Sequence, residues 1–160
     1  MTKIYLISAI LSFIPISELR GGIPYAYLNG VPIIYAYLLC VLVNALVAPF
    51  FFFFLETIHK AMYRLSWYRK FFDKSVARAR KKVGEKIQKY GMAGLMVFVA
   101  IPLPITGAWT GALGAWVMGL DKKKSSLFIA LGVMISGIIV SLVILTGSSL
   151  SSIFTKQINI

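Results

Sequence analysis

Three long stretches of this sequence contain no Asp, Glu, Lys, Arg or His. They run over residues 21–55, 91–120 and 125–155. A helix crosses the hydrocarbon core of a bilayer with about 20 apolar residues, so each stretch is long enough to cross it. Hydrophobic residues make up 59% of the 160 residues and only five side chains are acidic. The chain is therefore predicted to be an all-α integral membrane protein with a single membrane domain at residues 1–160.

Basic residues flank these stretches and indicate the orientation of the chain. The formal net charge is +12; 11 of the 17 Lys and Arg residues lie between residues 60 and 89, and three more lie at 122–124. Segments on the cytoplasmic side of a membrane carry an excess of Lys and Arg. We therefore expect a multi-pass protein of the cell membrane with residues 60–90 in the cytoplasm. We do not expect a nucleic-acid partner.

The segment FIPISELRGGIPYAY, at residues 13–27, places Glu18 and Arg20 in apolar sequence. Charged groups at membrane depth are costly and persist where they face a cavity or a partner. Proline lacks an N–H and glycine loosens the backbone, so the segment predicts a broken helix. We predict a re-entrant hairpin over residues 1–30 that forms half of a substrate and ion site. Its tip is expected to contain Pro15, Gly21, Gly22 and Pro24.

Two of the uncharged stretches predict full transmembrane helices, at residues 31–56 and 125–147. Asn44 lies near the centre of the first, where its amide could join helices or contact a substrate. Between the two, residues 60–90 carry apolar side chains at steps of three or four, which predicts a basic amphipathic helix. Its apolar stripe could face the lipid interface, a partner helix in a coiled coil, or the membrane-embedded core. His59 is expected at the surface.

Residues 91–120 are too short for two full crossings and longer than one crossing needs. Because basic clusters flank both ends, both ends should be cytoplasmic, so we predict a second re-entrant hairpin. Prolines and glycines are expected to break its helix, and two threonines and a tryptophan to bring polar or aromatic groups to the site. These residues are Pro102, Pro104, Gly107 and Gly111, and Thr106, Trp109 and Thr110.

The chain also repeats itself. A shift of 89 residues aligns Pro15 with Pro104, Ser17 with Thr106, Gly22 with Gly111 and Gly30 with Gly119. We predict two inverted repeats, each a re-entrant hairpin followed by one transmembrane helix, joined by the basic amphipathic cytoplasmic helix. Lys3 leaves a second topology open, in which residues 4–28 cross the membrane fully. The repeat and the break at residues 18–24 favour the hairpin.

The motifs SELRGGIP at residues 17–24 and PLPITGAWTG at 102–111 resemble the family of putative small multidrug exporters, over nearly the whole chain. That family is remotely similar to the DedA (SNARE-associated) superfamily. Members of the superfamily have two facing re-entrant hairpins and are implicated in moving lipids such as undecaprenyl phosphate and in proton-motive-force-dependent drug resistance. The resemblance implies that Glu18 carries a proton within the membrane. The second hairpin departs from the DedA pattern, because Val99, Ala100 and Ile105 stand where arginines usually flank the proline motif.

These features predict a membrane transporter or lipid flippase for a small amphipathic or lipid-linked substrate, with proton coupling through Glu18. If Glu18 pairs with Arg20 it stays ionised, whereas an apolar, unpaired setting favours the neutral acid that a proton carrier needs. The predicted substrate and ion contacts are Glu18, Arg20, Asn44, Thr106, Trp109 and Thr110. The alternative is a non-transporting scaffold that binds lipids or partners through its basic helix.

An enzyme is not expected, because the single histidine, the single cysteine Cys40 and the few carboxylates form no catalytic cluster. We predict no catalytic residue, cofactor or metal. The expected partners are membrane lipids, a small amphipathic or lipid-phosphate substrate, and protons. Gly107, Gly111, Ala115 and Gly119 recur every fourth residue, a spacing that favours close helix packing, and we expect a homodimer.

Overall fold

A computed structural model describes residues 2–103 and 106–158, and these residues fold into helices without a strand. The prediction of an all-α protein is confirmed. The helices are α1 (Thr2–Phe13), α2 (Glu18–Leu28), α3 (Ile33–Ala45), α4 (Val47–Glu56), α5 (Ile58–Met62), α6 (Ser66–Ala100), α7 (Ala108–Val117) and α8 (Lys122–Ile158).

Two helical stretches are long and apolar enough to cross a membrane. They are Ile33–Glu56, which combines α3 and α4 and has a mean hydropathy of 2.6, and Lys122–Gly147 in α8, with 2.8. The two stretches are antiparallel. At one end Ile33 and Ile34 line a surface groove together with Leu142 and Leu145, and at the other end Lys122 pairs with Glu56. Between them the Tyr37 hydroxyl donates to the Met134 carbonyl at 3.2 Å.

Helices α1 and α2 pack against each other through a tight turn at residues 14–17. The predicted break at residues 18–24 is displaced, because Gly21, Gly22 and Pro24 lie inside α2 rather than at the tip. Gly22 serves close packing: a Cβ on this residue would lie 2.9 Å from the Ser8 carbonyl oxygen. Pro24 removes one hydrogen bond from α2, a loss that packed membrane helices tolerate.

A second pair of packed helices follows in the latter half of the chain. Helix α6 bends sharply at Gly91, whose φ of 58° and ψ of −139° are not helical. The following stretch, residues 92–100, leads to a second turn before α7, and α6 and α7 pack on α8. The turn contains Pro102 and Gly107, and Gly111 lies one turn into α7. Pro104 lies outside the described residues.

The apolar stripe of the basic helix packs on the chain's own core. Tyr68, Phe72, Val83 and Ile87 are buried on this stripe. Gly114 of α7 makes the approach possible, since a Cβ there would lie 2.7 Å from the Cβ of Val83. Of the three arrangements considered for the stripe, the structure favours packing on the core over the lipid interface or a coiled coil.

His59 is buried, and the expectation of a surface histidine is wrong. Its Nδ1 lies 3.0 Å from the Tyr68 hydroxyl, and its ring lies 4.1 Å from that of Phe72 and 5.8 Å from that of Trp116. Aromatic residues from α6 and α7 therefore enclose a side chain that the sequence places just beyond a transmembrane helix.

Equivalent hydrogen bonds recur at the 89-residue offset. Gly30 and Gly119 both adopt a positive φ, 84° and 68° respectively, and the following helices α3 and α8 begin at Ile33 and Lys122. The ends of α2 and α7 are closed by the same pattern of N–H to carbonyl bonds: Gly30 to Tyr27 and Val31 to Ala26, and Gly119 to Trp116 and Leu120 to Ala115.

Candidate functional site

The turn after α1 and the turn before α7 meet, and each is held by a side chain from the other pair of helices. The Arg20 guanidinium donates to the carbonyl oxygen of Leu103 and, at 3.3 Å, to that of Thr106. In return the indole N–H of Trp109 donates to the carbonyl oxygen of Phe13 at 2.7 Å. Arg20 and Trp109 are separated by the repeat offset of 89 residues. The two contacts form a reciprocal clamp.

Glu18 lies at the centre of this contact and is 6% exposed. Its Oε1 accepts a 3.5 Å hydrogen bond from the backbone N–H of Trp109, at the N-terminus of α7, where a helix favours negative charge. Arg20 Nη2 lies 4.0 Å from Glu18 Oε2. The α7 N-terminus and Arg20 favour the carboxylate, whereas burial favours the neutral acid. Glu18 is thus placed between opposing influences on its charge.

Gly107 provides the space for this carboxyl group. A Cβ on Gly107 would lie 2.5 Å from the carboxyl carbon of Glu18, and the φ of 141° disfavours any L side chain. Glu18 itself has a positive φ of 49°, which is uncommon for a residue other than glycine. Backbone strain of this kind persists where the surrounding contacts hold it, and it clusters at functional sites.

A polar cavity of about 10 Å³ lies beside the carboxyl group, with room for about one water molecule. Its lining includes Glu18, Arg20, Asn44, Thr106, Val133 and Ser136. Asn44 is the twelfth of the 24 residues of Ile33–Glu56, and Val133 is the twelfth of the 26 residues of Lys122–Gly147. The cavity therefore lies at the middle of both candidate spans.

The structure brings four predicted residues, Glu18, Arg20, Asn44 and Thr106, to one cavity. Asn44 also joins helices, because its amide donates to the Ser12 carbonyl at 2.7 Å. Pro102 lines the cavity as well.

Trp109 and Thr110 line a separate groove on the other side of the contact, together with Pro15. Trp109 therefore belongs to both regions, since its backbone N–H reaches Glu18 while its ring lines the groove.

The sequence did not indicate two kinds of group at this site. The carbonyl oxygens of Phe13 and Leu103 accept the hydrogen bonds of the clamp. Because every residue has a backbone carbonyl, the pattern of side chains does not show which carbonyl will accept such a bond. Ser136 in the lining is a single small polar residue inside an apolar run, and its mid-span position was the only available signal.

The described part of the chain contains no group of three or more His, Cys, Asp or Glu side chains that could hold a metal ion. The ionisable side chains in the cavity lining are Glu18 and Arg20. This arrangement can exchange a proton at a carboxyl group and can make or break an ion pair.

Comparison with known proteins gives one family. Residues 18–139 match the model of the family described as putative small multi-drug export protein. The match includes α2 to α7, the turn before α7 and much of α8. No curated protein and no solved structure matches the chain, and the wider similarity to the DedA superfamily stays a prediction.

Proposed function

This chain belongs to the family of putative small multi-drug export proteins, and we propose that it is a membrane transporter for a small amphipathic molecule, with Glu18 at its centre. The observation that carries the proposal is the pair formed by the buried Glu18 and the partly buried Arg20 where the two turns meet, midway along both candidate spans. A charged pair at that depth is costly to keep and typically marks a substrate or ion pathway.

We propose that the two turns are the tips of re-entrant hairpins inserted from opposite sides of the cell membrane. Helices α1, α2 and α7 have 12, 11 and 10 residues, or about 18, 16 and 15 Å, half of the roughly 30 Å hydrocarbon core. The matching helix ends at the 89-residue offset and the antiparallel spans support inverted repeats. Such repeats commonly place broken helices and a substrate site at the midplane.

The contact between the tips is proposed to be a closed gate. A cavity of about 10 Å³ has no room for an amphipathic molecule, so passage requires the tips to separate. Separation breaks the bonds from Arg20 to Leu103 and Thr106 and the bond from Trp109 to Phe13. A proton bound to Glu18 removes the negative charge that accepts the Trp109 N–H and that the N-terminus of α7 favours, which weakens the contact between the tips. Proton binding would thereby favour opening.

The experiment compares Glu18→Gln with Glu56→Gln in liposomes. Glutamine keeps the shape of glutamate but carries no titratable proton, and Glu56 is an exposed glutamate paired with Lys122 away from the cavity. Proton movement into the liposomes is followed with an internal pH-sensitive dye while lipophilic test compounds of either charge are added outside. We expect Glu18→Gln to abolish compound-dependent proton movement and Glu56→Gln to retain it. Full activity of Glu18→Gln would exclude proton coupling through this residue.

A further inference from the structure

An aromatic groove of about 330 Å³ lies between α4, α6 and α7. This volume is within the range of small-molecule sites in proteins. Most of its lining is formed by aromatic rings, namely Phe51, Phe54, Tyr68, Phe71, Phe72 and Trp109. We call this surface the aromatic groove.

Five of the six rings of the aromatic groove contact another ring of the groove. Phe51 meets Trp109 edge to face at 5.0 Å and stacks on Phe54 at 6.0 Å, and Tyr68 stacks on Phe72 at 5.7 Å. Aromatic pairs in these geometries are favourable and directional. The groove therefore presents ring faces and edges in a fixed arrangement, which suits a flat aromatic molecule better than a flexible acyl chain.

The two ends of the aromatic groove differ in character. One end is formed by Pro15, Trp109 and Thr110 at the contact between the tips, and the other by residues of α6, including Phe71 and Ser75. The exposed cations Lys74 and Arg78 each lie three residues beyond Phe71 and Ser75, and so on the same side of α6. A ligand that fills the groove would thus extend from the tip contact towards positive charge.

The charge around the aromatic groove selects against cations. Among the described residues, no Asp, Glu, Lys or Arg lines the groove itself, so the charges that act on a ligand are those around it. Asp73, the acidic residue of α6 nearest to it in sequence, accepts a 2.8 Å hydrogen bond from Tyr63. Aromatic rings attract organic cations, but the excess of Lys and Arg in residues 60–89 opposes them. An anionic group would be attracted by the same charges.

We propose that the aromatic groove binds a small aromatic organic anion, with its rings against Phe51, Phe54 and Trp109 and its anionic group towards Lys74 and Arg78. The inference rests on the proposed function, because it names the substrate class of the same transporter. Trp109 connects the two sites: its ring lines the groove and its indole N–H holds the tip contact. A ligand that moves this ring also loosens the bond to Phe13.

The test uses two ligands with the same ring and opposite charge, 1-naphthalenesulfonate and 1-naphthylmethylammonium. Their binding to the full chain in nanodiscs of zwitterionic lipid is measured by equilibrium dialysis, with empty nanodiscs subtracted. We expect the sulfonate to bind at least about tenfold more tightly than the ammonium ion. Equal binding, or tighter binding of the ammonium ion, would overturn the proposal.

Two neighbouring phenylalanines give a matched pair of variants. Phe54 lines the groove, whereas Phe53 is 63% exposed and does not. Leucine is apolar and favours the helical conformation, so both variants are expected to fold. Phe54→Leu should weaken sulfonate binding about two- to tenfold, the range expected for one aromatic contact, and Phe53→Leu should leave it unchanged. Equal effects of the two variants would place the ligand elsewhere.

Lys74→Gln combined with Arg78→Gln should reduce the preference for the sulfonate over the ammonium ion. An unchanged preference would contradict the role of Lys74 and Arg78. Lipid is tested as a competing occupant by adding anionic phospholipid to the nanodiscs. Loss of sulfonate binding would make a lipid headgroup the occupant and overturn the proposal.

The outcomes for binding and for transport are separable. Binding is measured by dialysis and transport by proton movement, so each can fail while the other holds. Binding without any transport would overturn the proposed function and leave the groove assignment intact. Transport without binding in the groove would overturn the assignment alone.

Discussion

At position 107 a glycine leaves the space that the carboxyl group of Glu18 occupies. The same offset of 89 residues relates these two positions and also relates Arg20 to Trp109. Equivalent positions in the two halves therefore carry different chemistry: one half supplies the acid and the cation, and the other supplies a helix N-terminus and an indole. This asymmetry is what produces an ion pair at the contact of two otherwise similar tips.

Gly107→Ala should destabilise the protein and impair its transport. The added methyl group would overlap the Glu18 carboxyl group, and the positive φ adds strain of about 1–3 kcal/mol for a residue with a side chain. Gly147→Ala is the control, because nothing lies within 4 Å of a Cβ at that position. Thermal unfolding in detergent measures the effect. An equal, small change in both variants would contradict the close contact between Glu18 and Gly107.

Some residues of the site could be predicted and others could not. Glu18 and Arg20 stand out because a charge in apolar sequence needs a partner or a cavity. Gly107 was expected only to loosen a turn, because a sequence does not show which side chain will fill the space above a glycine. The acceptors of the clamp are backbone carbonyls, which every residue has.

At the scale of helices, the basic amphipathic helix illustrates a question that the sequence leaves open and the packing answers, namely which surface covers the apolar stripe. An amphipathic stripe predicts a buried face but does not say what covers it. Here α7 covers it, because Gly114 admits Val83. Pro24 is a case in which the sequence pattern misled. It predicted a break in the helix, but a proline can remain inside a packed membrane helix. The turn lies at residues 14–17 instead.

His59 connects α5 to α6 and α7 and predicts a pH dependence. Burial among aromatic rings lowers the pKa of His59 below its ordinary value, although the charge of Asp73 acts in the opposite direction. The folded state therefore favours the neutral imidazole. Its stabilising contribution is complete above the unfolded pKa, about 6.5, and is lost as the pH falls through the folded pKa.

We therefore expect the melting temperature to fall as the pH is lowered below about 6.5, and His59→Phe to remove part of that fall. Comparing the melting temperatures of the unaltered protein and of His59→Phe across this pH range separates the contribution of His59 from that of the other titrating groups. An identical acid dependence in both would show that His59 does not couple these helices to pH.

At the scale of the whole molecule, three features support the proposed inverted repeat. The spans are antiparallel, the helix ends recur at the 89-residue offset, and the two short helix pairs meet midway along the spans. Hydropathy predicted the two candidate spans, and the sequence repeat predicted the inverted arrangement that we propose. The contact itself depends on distances between segments about 90 residues apart, which no local pattern encodes.

The two proposed hairpins are tested most directly by finding the side of the membrane on which the ends of each one lie. In a chain whose buried Cys40 is replaced by Ala, single cysteines are introduced as Asn29→Cys, Tyr90→Cys and Lys123→Cys, all at exposed positions. They are then labelled with a membrane-impermeant maleimide from either side. Two facing hairpins predict that residues 90 and 123 react only from the cytoplasmic side and residue 29 only from the opposite side. Reaction of residues 90 and 123 from opposite sides would show that residues 91–120 cross the membrane, and would contradict the two facing hairpins.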